Sequence, residues 1–208
     1  MAFRVAVLIS GAGTNLQAIL DTVHGRDGIE VVGVAASKSD ARGLERAKGA
    51  GVDTAAFEIA DYEDRPARDE AMGDWLEQHE VELVVLAGFM EILGPDFIRR
   101  FEGRMVNVHP SLLPAFPGMR AIEKAVEHGV KVSGVTVHFV EEGVDSGPIV
   151  LQEAFELPYP RDIGQIEELI HGIEHRLLPR AVQLIAAGSV RLDPENPRVV
   201  QIEDGRGD

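Results

Sequence analysis

The chain contains no cysteine. A disulfide framework and a thiolate metal site are therefore both excluded. No apolar stretch approaches the roughly 20 residues that a membrane helix requires. The opening residues Met1-Ala2-Phe3-Arg4-Val5 enter a strand-like run directly, without a charged n-region, an apolar core or a small-residue cleavage site. A soluble cytoplasmic protein is expected. Cations are scarce: 20 Lys and Arg stand against 35 Asp and Glu, for a net charge of -15. That balance argues against binding a nucleic-acid backbone, which rewards clustered Lys and Arg. Internal repeats, low-complexity segments and dividing linkers are also missing. With 208 residues and 45% hydrophobic content, one full core and a single domain over 1–208 are expected.

What is present is an alternation of strand and helix. Phe3 to Ser10 is a nearly continuous apolar run, as in a strand covered on both faces. Gly11 to Asn15 forms a turn, after which Leu16, Ile19, Leu20 and Val23 recur at helical spacing. Ile29 to Ala36 reads as a strand, Ala41 to Lys48 as a short helix, and Thr54 to Ile59 as a third strand. A helix over about 64–78 carries the only Trp, Trp75. Leu83 to Ala87 is a buried strand, Pro95 to Phe101 a helix with Pro in its first turn, and Arg104 to His109 the next strand. This order predicts an α/β fold, a mostly parallel twisted sheet with helices on both faces. An amphipathic helix over Ala121 to His128 ends at Gly129. Val132 to Phe139 and Ile149 to Phe155 are joined closely enough for an antiparallel pair toward the C-terminus. Asp162 stands three residues before Gln165, a capping-box spacing that opens a long helix to about Ala187. The tail after Leu192 is polar, with one strand expected over 199–202 before a frayed end.

Most functional information lies in Asn107-Val108-His109-Pro110-Ser111-Leu112-Leu113-Pro114. Strand alternation puts Asn107 and His109 on one face. An amide donor and an imidazole then project side by side at a strand end, and two prolines restrict the loop beyond. Such a pair can hold a reacting carbonyl.

The segment Ser10-Gly11-Ala12-Gly13-Thr14-Asn15-Leu16 sits between strand and helix, where free N–H groups and the helix dipole favour an anion. A dinucleotide fingerprint needs a third glycine, and Leu16 stands there instead. The second strand ends in Val34, Ala35 and Ala36, with no ribose-binding acid. A P-loop Gly-Lys-Ser/Thr is absent as well. A phosphorylated small molecule fits better than NAD or ATP.

A carboxylate beside His109 favours its imidazolium and raises its pKa. Asp145 lies in a Gly-rich loop between two strands, with Glu141 and Glu142 as neighbours, and spacing alone does not choose among the three. His24, His79 and His128 sit near helix C-termini and read as surface caps, and His138 as a satisfied core residue. His171 and His175 lie one turn apart, a spacing compatible with metal. No third ligand is apparent, so surface or pocket lining is expected and no metal is assigned.

Four ordered motifs carry a resemblance: Ser10 to Ile19, Leu86-Ala87-Gly88-Phe89-Met90, Asn107 to Pro114, and Asp145-Ser146-Gly147-Pro148-Ile149. Together they resemble the phosphoribosylglycinamide formyltransferases, folate-dependent enzymes of purine synthesis, over residues 3 to about 187. The resemblance implies a Rossmann-like formyltransferase fold, with a phosphate-binding half over about 1–105, a folate-binding half over about 106–190, and a tail over 192–208. It implies formyl transfer from 10-formyltetrahydrofolate to the amine of glycinamide ribonucleotide, without metal, by a monomer or homodimer. By the same resemblance Asn107, His109 and Asp145 are catalytic. Gly13, Thr14 and Asn15 hold the ribonucleotide phosphate, and Glu174 its ribose or glycinamide end. Met90, Glu91, Ile92 and Leu93 flank the pterin pocket, and backbone groups of Glu141, Glu142, Gly143 and Val144 read the pterin ring. Arg65 approaches the folate tail, and His171 sits at a polar pocket-lining position of the family, with no role assigned to it. Glu91 occupies a place where some relatives carry Arg, which removes the ground for a cationic contact there.

The chemistry agrees with these residues. Amine attack on a formamide carbonyl builds negative charge on oxygen. Asn107 and a protonated His109 can donate to it, with Asp145 keeping His109 charged. Formyltetrahydrofolate hydrolases share these three residues but carry a further N-terminal domain, whereas here the first strand begins at residue 3. Methionyl-tRNA formyltransferases need a further C-terminal domain and a basic face. A catalytically silent nucleotide-binding module has no need of Asn107, His109 and Asp145 together.

Overall fold

The apolar runs become buried strands because each is covered on both faces. In the computed structural model, which describes residues 1–203, β1 (Phe3–Ile9) has Val5 through Ile9 removed from solvent. The chain groups into two compact units, Met1–Asn107 and Val108 onward.

The first unit alternates β1, α1 (Thr14–Thr22), β2 (Ile29–Ala36), α2 (Arg42–Gly49), β3 (Asp53–Ala56), α3 (Arg65–Gln78), β4 (Leu83–Leu86) and α4 (Pro95–Arg100), and β5 (Met105–His109) runs through its end. Its strands pair in parallel in the order β3-β2-β1-β4-β5. The chain moves outward from β1 to β3, then crosses back to place β4 on the other side of β1. Right-handed crossovers running in opposite directions put their helices on opposite faces of the sheet. In keeping with this, α1 packs with α2, and α3 with α4. The order reverses between β1 and β4. At such a switch point the loops after the two strands diverge and leave a crevice for a ligand.

Local chemistry sets the ends of these elements. The Asp64 carboxylate accepts from the Ala67 N–H at 2.9 Å and caps α3, with Pro66 in the first turn. The strand expected over 54–59 stops at Ala56, and Ile59–Asp61 turn into a short 3₁₀ helix. Of the segment after β3 only Phe57 is buried, while Glu58 is half-buried and Ile59 and Asp61 face solvent.

The second unit holds α5 (Ala121–His128), β6 (Val132–Phe139), β7 (Ile149–Glu156) and α6 (Ile163–Ala186). β6 and β7 are antiparallel, with Thr136 opposite Gln152. Asp162 caps α6 by accepting from the Gln165 N–H at 2.9 Å, as its spacing predicts. α6 packs on β6 and β7. The tail departs from expectation. Instead of one strand it forms a hairpin of β8 (Val190–Leu192) and β9 (Val200–Ile202). Its turn is held by the Asp193 carboxylate, which accepts from the N–H groups of Glu195 and Asn196. β8 has three residues, too few for periodicity to reveal. The end of the tail, 204–208, lies outside the described residues.

Candidate active site

The glycine loop sits at the switch point of the first unit. Gly13, the residue before α1, has φ of 68° and, as a glycine, has no side chain with which to cap the helix. The first N–H groups of α1 have no acceptor within the helix, so they and the dipole face outward from this turn. Space as well as backbone angle demands glycine at 13: a Cβ there would stand 2.6 Å from the Gly43 Cα. α2 fixes the loop from the other side. The Gly43 N–H donates to the Gly11 carbonyl at 3.1 Å, and Arg46 donates from Nε to the Ala12 carbonyl at 2.9 Å. A guanidinium therefore lies beside the uncapped helix end. Arg46 went unnoticed in the sequence because it belongs to another element. Thr14 is exposed in this loop and Asn15 is buried.

Ser10 joins this loop to the segment after β4. Its hydroxyl accepts from the Met90 N–H at 2.8 Å and receives the Ser37 hydroxyl at 2.7 Å. Met90 and Ile92 are 70% and 68% exposed, although both are large and apolar. Leu93 is buried and Glu91 is half-buried. Ile92, Leu93 and Arg65 line one cavity of about 640 Å³ with Asp69, Phe97 and Arg100. Beside it Arg68, fully buried, places Nε 2.7 Å from Asp69 Oδ1. Asp69 in turn accepts from the Gly94 N–H at 2.7 Å and so ties α3 to this loop.

β5 presents Asn107 and, two residues later, His109, so strand alternation sends both side chains to one face. His109 is buried. Its Nε2 lies 2.9 Å from the Phe116 carbonyl and its Nδ1 3.3 Å from Asp145 Oδ2. Asp145, rather than Glu141 or Glu142, is the carboxylate that meets His109, which resolves the choice that spacing left open. Glu141, Glu142, Gly143 and Val144 precede it as an exposed stretch of the β6–β7 loop. The base of that loop is narrow. The Phe139 N–H donates to the Pro148 carbonyl at 2.9 Å, and any side chain at Gly147 would strike the Phe139 carbonyl. The Gly118 N–H donates to Asp145 Oδ2 at 2.7 Å, and Lys124 of α5 donates to the Pro117 carbonyl at 3.1 Å. One chain segment, 116–118, thus contacts both the imidazole and the carboxylate.

His138 completes the cluster. It is buried on β6, with Nδ1 2.8 Å from the Phe139 carbonyl and Nε2 3.5 Å from Asp145 Oδ1. Treating it as a satisfied core histidine missed this contact. The available signal was an inward titratable residue at the end of a strand that leads into an acidic loop.

Electrostatics adjust the expectation for His109. Burial lowers its pKa, the Phe116 carbonyl and the Asp145 charge raise it, and His138 and Lys124 lower it again. The net direction is down, so Asp145 offsets burial without overcoming it. Burial raises the Asp145 carboxyl, but the hydrogen bond from His138, the Gly118 N–H and the charge of His109 outweigh that, leaving it at about 2.

Comparison with known proteins decides the family. Residues 3–182 match the family model described as formyl transferase. The chain belongs to the formyl transferase family. It is 42% identical over 191 residues to the phosphoribosylglycinamide formyltransferase of Haemophilus influenzae, spanning 91% of this chain and 90% of that one. It is 43% identical over 202 residues to the trifunctional purine biosynthetic protein adenosine-3 of Bos taurus, covering 97% of this chain but 20% of that protein. The chain therefore spans about a fifth of the length of the trifunctional relatives it matches. The crystal structure of glycinamide ribonucleotide transformylase 1 from Symbiobacterium toebii superposes with a TM-score of 0.92 at 46% identity, over 98% of this chain and 95% of the other.

As a formyl transferase, the chain carries the remaining residues singled out in its sequence on α6. Glu174 is buried there, while His171 and His175 stack with ring centroids 6.1 Å apart. Burial and the neighbouring His171 lower the pKa of His175. Among the described residues, no group of three or more His, Asp or Glu is arranged to hold a metal. No helix is long and apolar enough to cross a membrane among them either.

Proposed function

We propose that this formyl transferase moves the formyl group of 10-formyltetrahydrofolate to the amine of glycinamide ribonucleotide, a step of purine synthesis. The observation that carries this reading is the His109–Asp145 contact at 3.3 Å, next to Asn107 on the same strand. A curated relative of matching length, named phosphoribosylglycinamide formyltransferase, supports the choice of acceptor.

In this reading the amine attacks the formyl carbon, a C–N bond forms, and the bond from that carbon to the folate N10 breaks. The proton lost by the amine ends on N10. The Asn107 amide and the His109 Nε2–H donate to the carbonyl oxygen as charge builds there. The Phe116 carbonyl holds that Nε2–H in the free protein and has to yield it to the formyl oxygen. A water, or His109 giving its Nε2–H to N10 and taking the amine proton on the same nitrogen, carries the proton from amine to N10. Asp145 steadies the transient imidazolium. The ribonucleotide phosphate sits on Gly13, Thr14 and Asn15 at the start of α1, with Arg46 beside it, and Glu174 takes the sugar or glycinamide end. Met90, Glu91, Ile92 and Leu93, with backbone groups of Glu141 to Val144, take the pterin, and Arg65 faces the folate tail from the cavity rim. We read about 1–105 as the half that holds the phosphate and contributes Arg65 and residues 90–93 to the folate, and about 106–190 as the folate-binding half of one domain, acting as monomer or homodimer in the cytoplasm without metal.

The test is absorbance of a formyl-folate analogue incubated with the protein, with and without glycinamide ribonucleotide. Loss of the formyl group only when the amine is present supports the reading. Loss at the same rate without the amine identifies a hydrolase instead, and no loss in either case overturns the assignment.

A further inference from the structure

The cluster around Asp145 contains two imidazoles, and formyl transfer as proposed above employs one. Each is anchored in the same way. A backbone carbonyl accepts and never donates, so the His109 nitrogen at the Phe116 carbonyl and the His138 nitrogen at the Phe139 carbonyl both carry hydrogen. The remaining nitrogen of each ring faces a different oxygen of one carboxylate, Nδ1 of His109 to Oδ2 and Nε2 of His138 to Oδ1, and donates to it when the ring is an imidazolium. A carboxylate gripped on one oxygen alone can rotate about its side chain. Gripped on both, it has one orientation.

We propose that His138 is a positioning residue for the transfer: it holds Oδ1 of Asp145, so that Oδ2 stays on His109. This rests on the transferase reading above. The Asp145 loop needs such a hold. Val144, its neighbour, is 70% exposed, and Asp145 itself has φ of 47°, an unusual backbone angle for a residue other than glycine. His138 stands on β6, which pairs with β7 from Val132 to His138 with a register shift just before His138, and this pairing anchors the ring's backbone. In this proposal the ring acts through Asp145 and not on the reacting atoms.

The groups facing His109 act in opposite senses and make the role measurable. Asp145 raises its pKa, whereas His138 and Lys124 of α5 lower it by like charge. If His138 were only a nearby cation, its removal would raise the His109 pKa and leave turnover intact. If it positions Asp145, its removal frees the carboxylate and the His109 pKa falls.

The experiment compares His138→Gln, His138→Asn and His138→Phe in the full chain, reading the His109 pKa by imidazole NMR titration and kcat and KM by formyl transfer. Gln places an amide donor where Nε2 was and is expected to keep kcat, with the His109 pKa at or above its wild-type value. Asn stops short of Asp145 and Phe has no donor. Both are expected to lower kcat about 10- to 100-fold, the loss of one hydrogen bond to a charged group. KM should change little and the His109 pKa should fall. A raised His109 pKa with unchanged kcat in Asn or Phe overturns the proposal, as does a Gln variant no better than Asn. Should Phe fail to fold, the Gln–Asn contrast decides alone. The NMR arm needs no substrate, so failure of the transferase reading would leave this test standing.

Discussion

At the scale of single residues, one half-buried carboxylate, Asp145, stands between two imidazole rings. Asp145→Asn keeps the shape and removes the charge that opposes desolvation of His109. Turnover should fall about 10²- to 10⁴-fold, the range of a positioned acid–base group. The His109 pKa, already below its ordinary value, should fall further, because the charge being removed is one that raises it. Steady-state rates and an NMR titration check both, and an unchanged titration would show that the two groups do not communicate. The sequence revealed much at this scale. Asn107 and His109 were legible because strand period fixes which side chains share a face. Asp145 was one of three acids in its loop, and only the narrow base at Phe139 and Pro148 singles it out. The contact of His138 with Asp145 was not legible, since an inward histidine on a strand looks the same whether its partner is a carbonyl or a carboxylate. The sign of the His109 pKa was misjudged for a related reason: sequence shows the neighbouring charge but not the depth of burial.

At the scale of elements, local signals carried far. The helix over Ala121–His128 and its stop at Gly129 follow from amphipathic spacing and a residue free to adopt φ of 83°. Asp64 and Asp162 mark the starts of α3 and α6 as caps. The three-residue strands of the tail were beyond reach, because so few side chains define no period. The α1 turn gives a direct prediction. Gly13→Ala places a Cβ against backbone in α2 at a left-handed angle, at a cost of about 1–3 kcal/mol. We expect a lower melting temperature and a KM for glycinamide ribonucleotide raised about tenfold or more, for about 1.4 kcal/mol of lost binding, with kcat less affected. Thermal melts and saturation kinetics test this, and an unaltered KM would move the phosphate away from this loop.

At the scale of the whole molecule, the strand order could be inferred only as a class. Alternating elements predict a parallel sheet, but where the order reverses depends on crossovers that no local pattern encodes. Acid stability is a property at this scale with a defined sign. Asp145 is depressed from 3.8 to about 2, so its contribution is fully present above 3.8 and is lost as pH falls through that window. That contribution is about 2 kcal/mol. His109 is depressed from 6.5, so the unfolded chain takes up its proton first and stability already declines as pH drops below 6.5. Urea midpoints should fall on acidification in both windows, and Asp145→Asn should flatten the lower one. A midpoint independent of pH between 7 and 2 would contradict these assignments.

The most direct measurement is a single turnover with 10-formyltetrahydrofolate labelled with ¹³C in the formyl group, in the presence of glycinamide ribonucleotide, followed by mass spectrometry. The label is expected on the amine of the ribonucleotide with wild-type protein and only slowly with Asp145→Asn. Label recovered as formate, or transfer that proceeds equally well without the carboxylate, would contradict the proposed transfer.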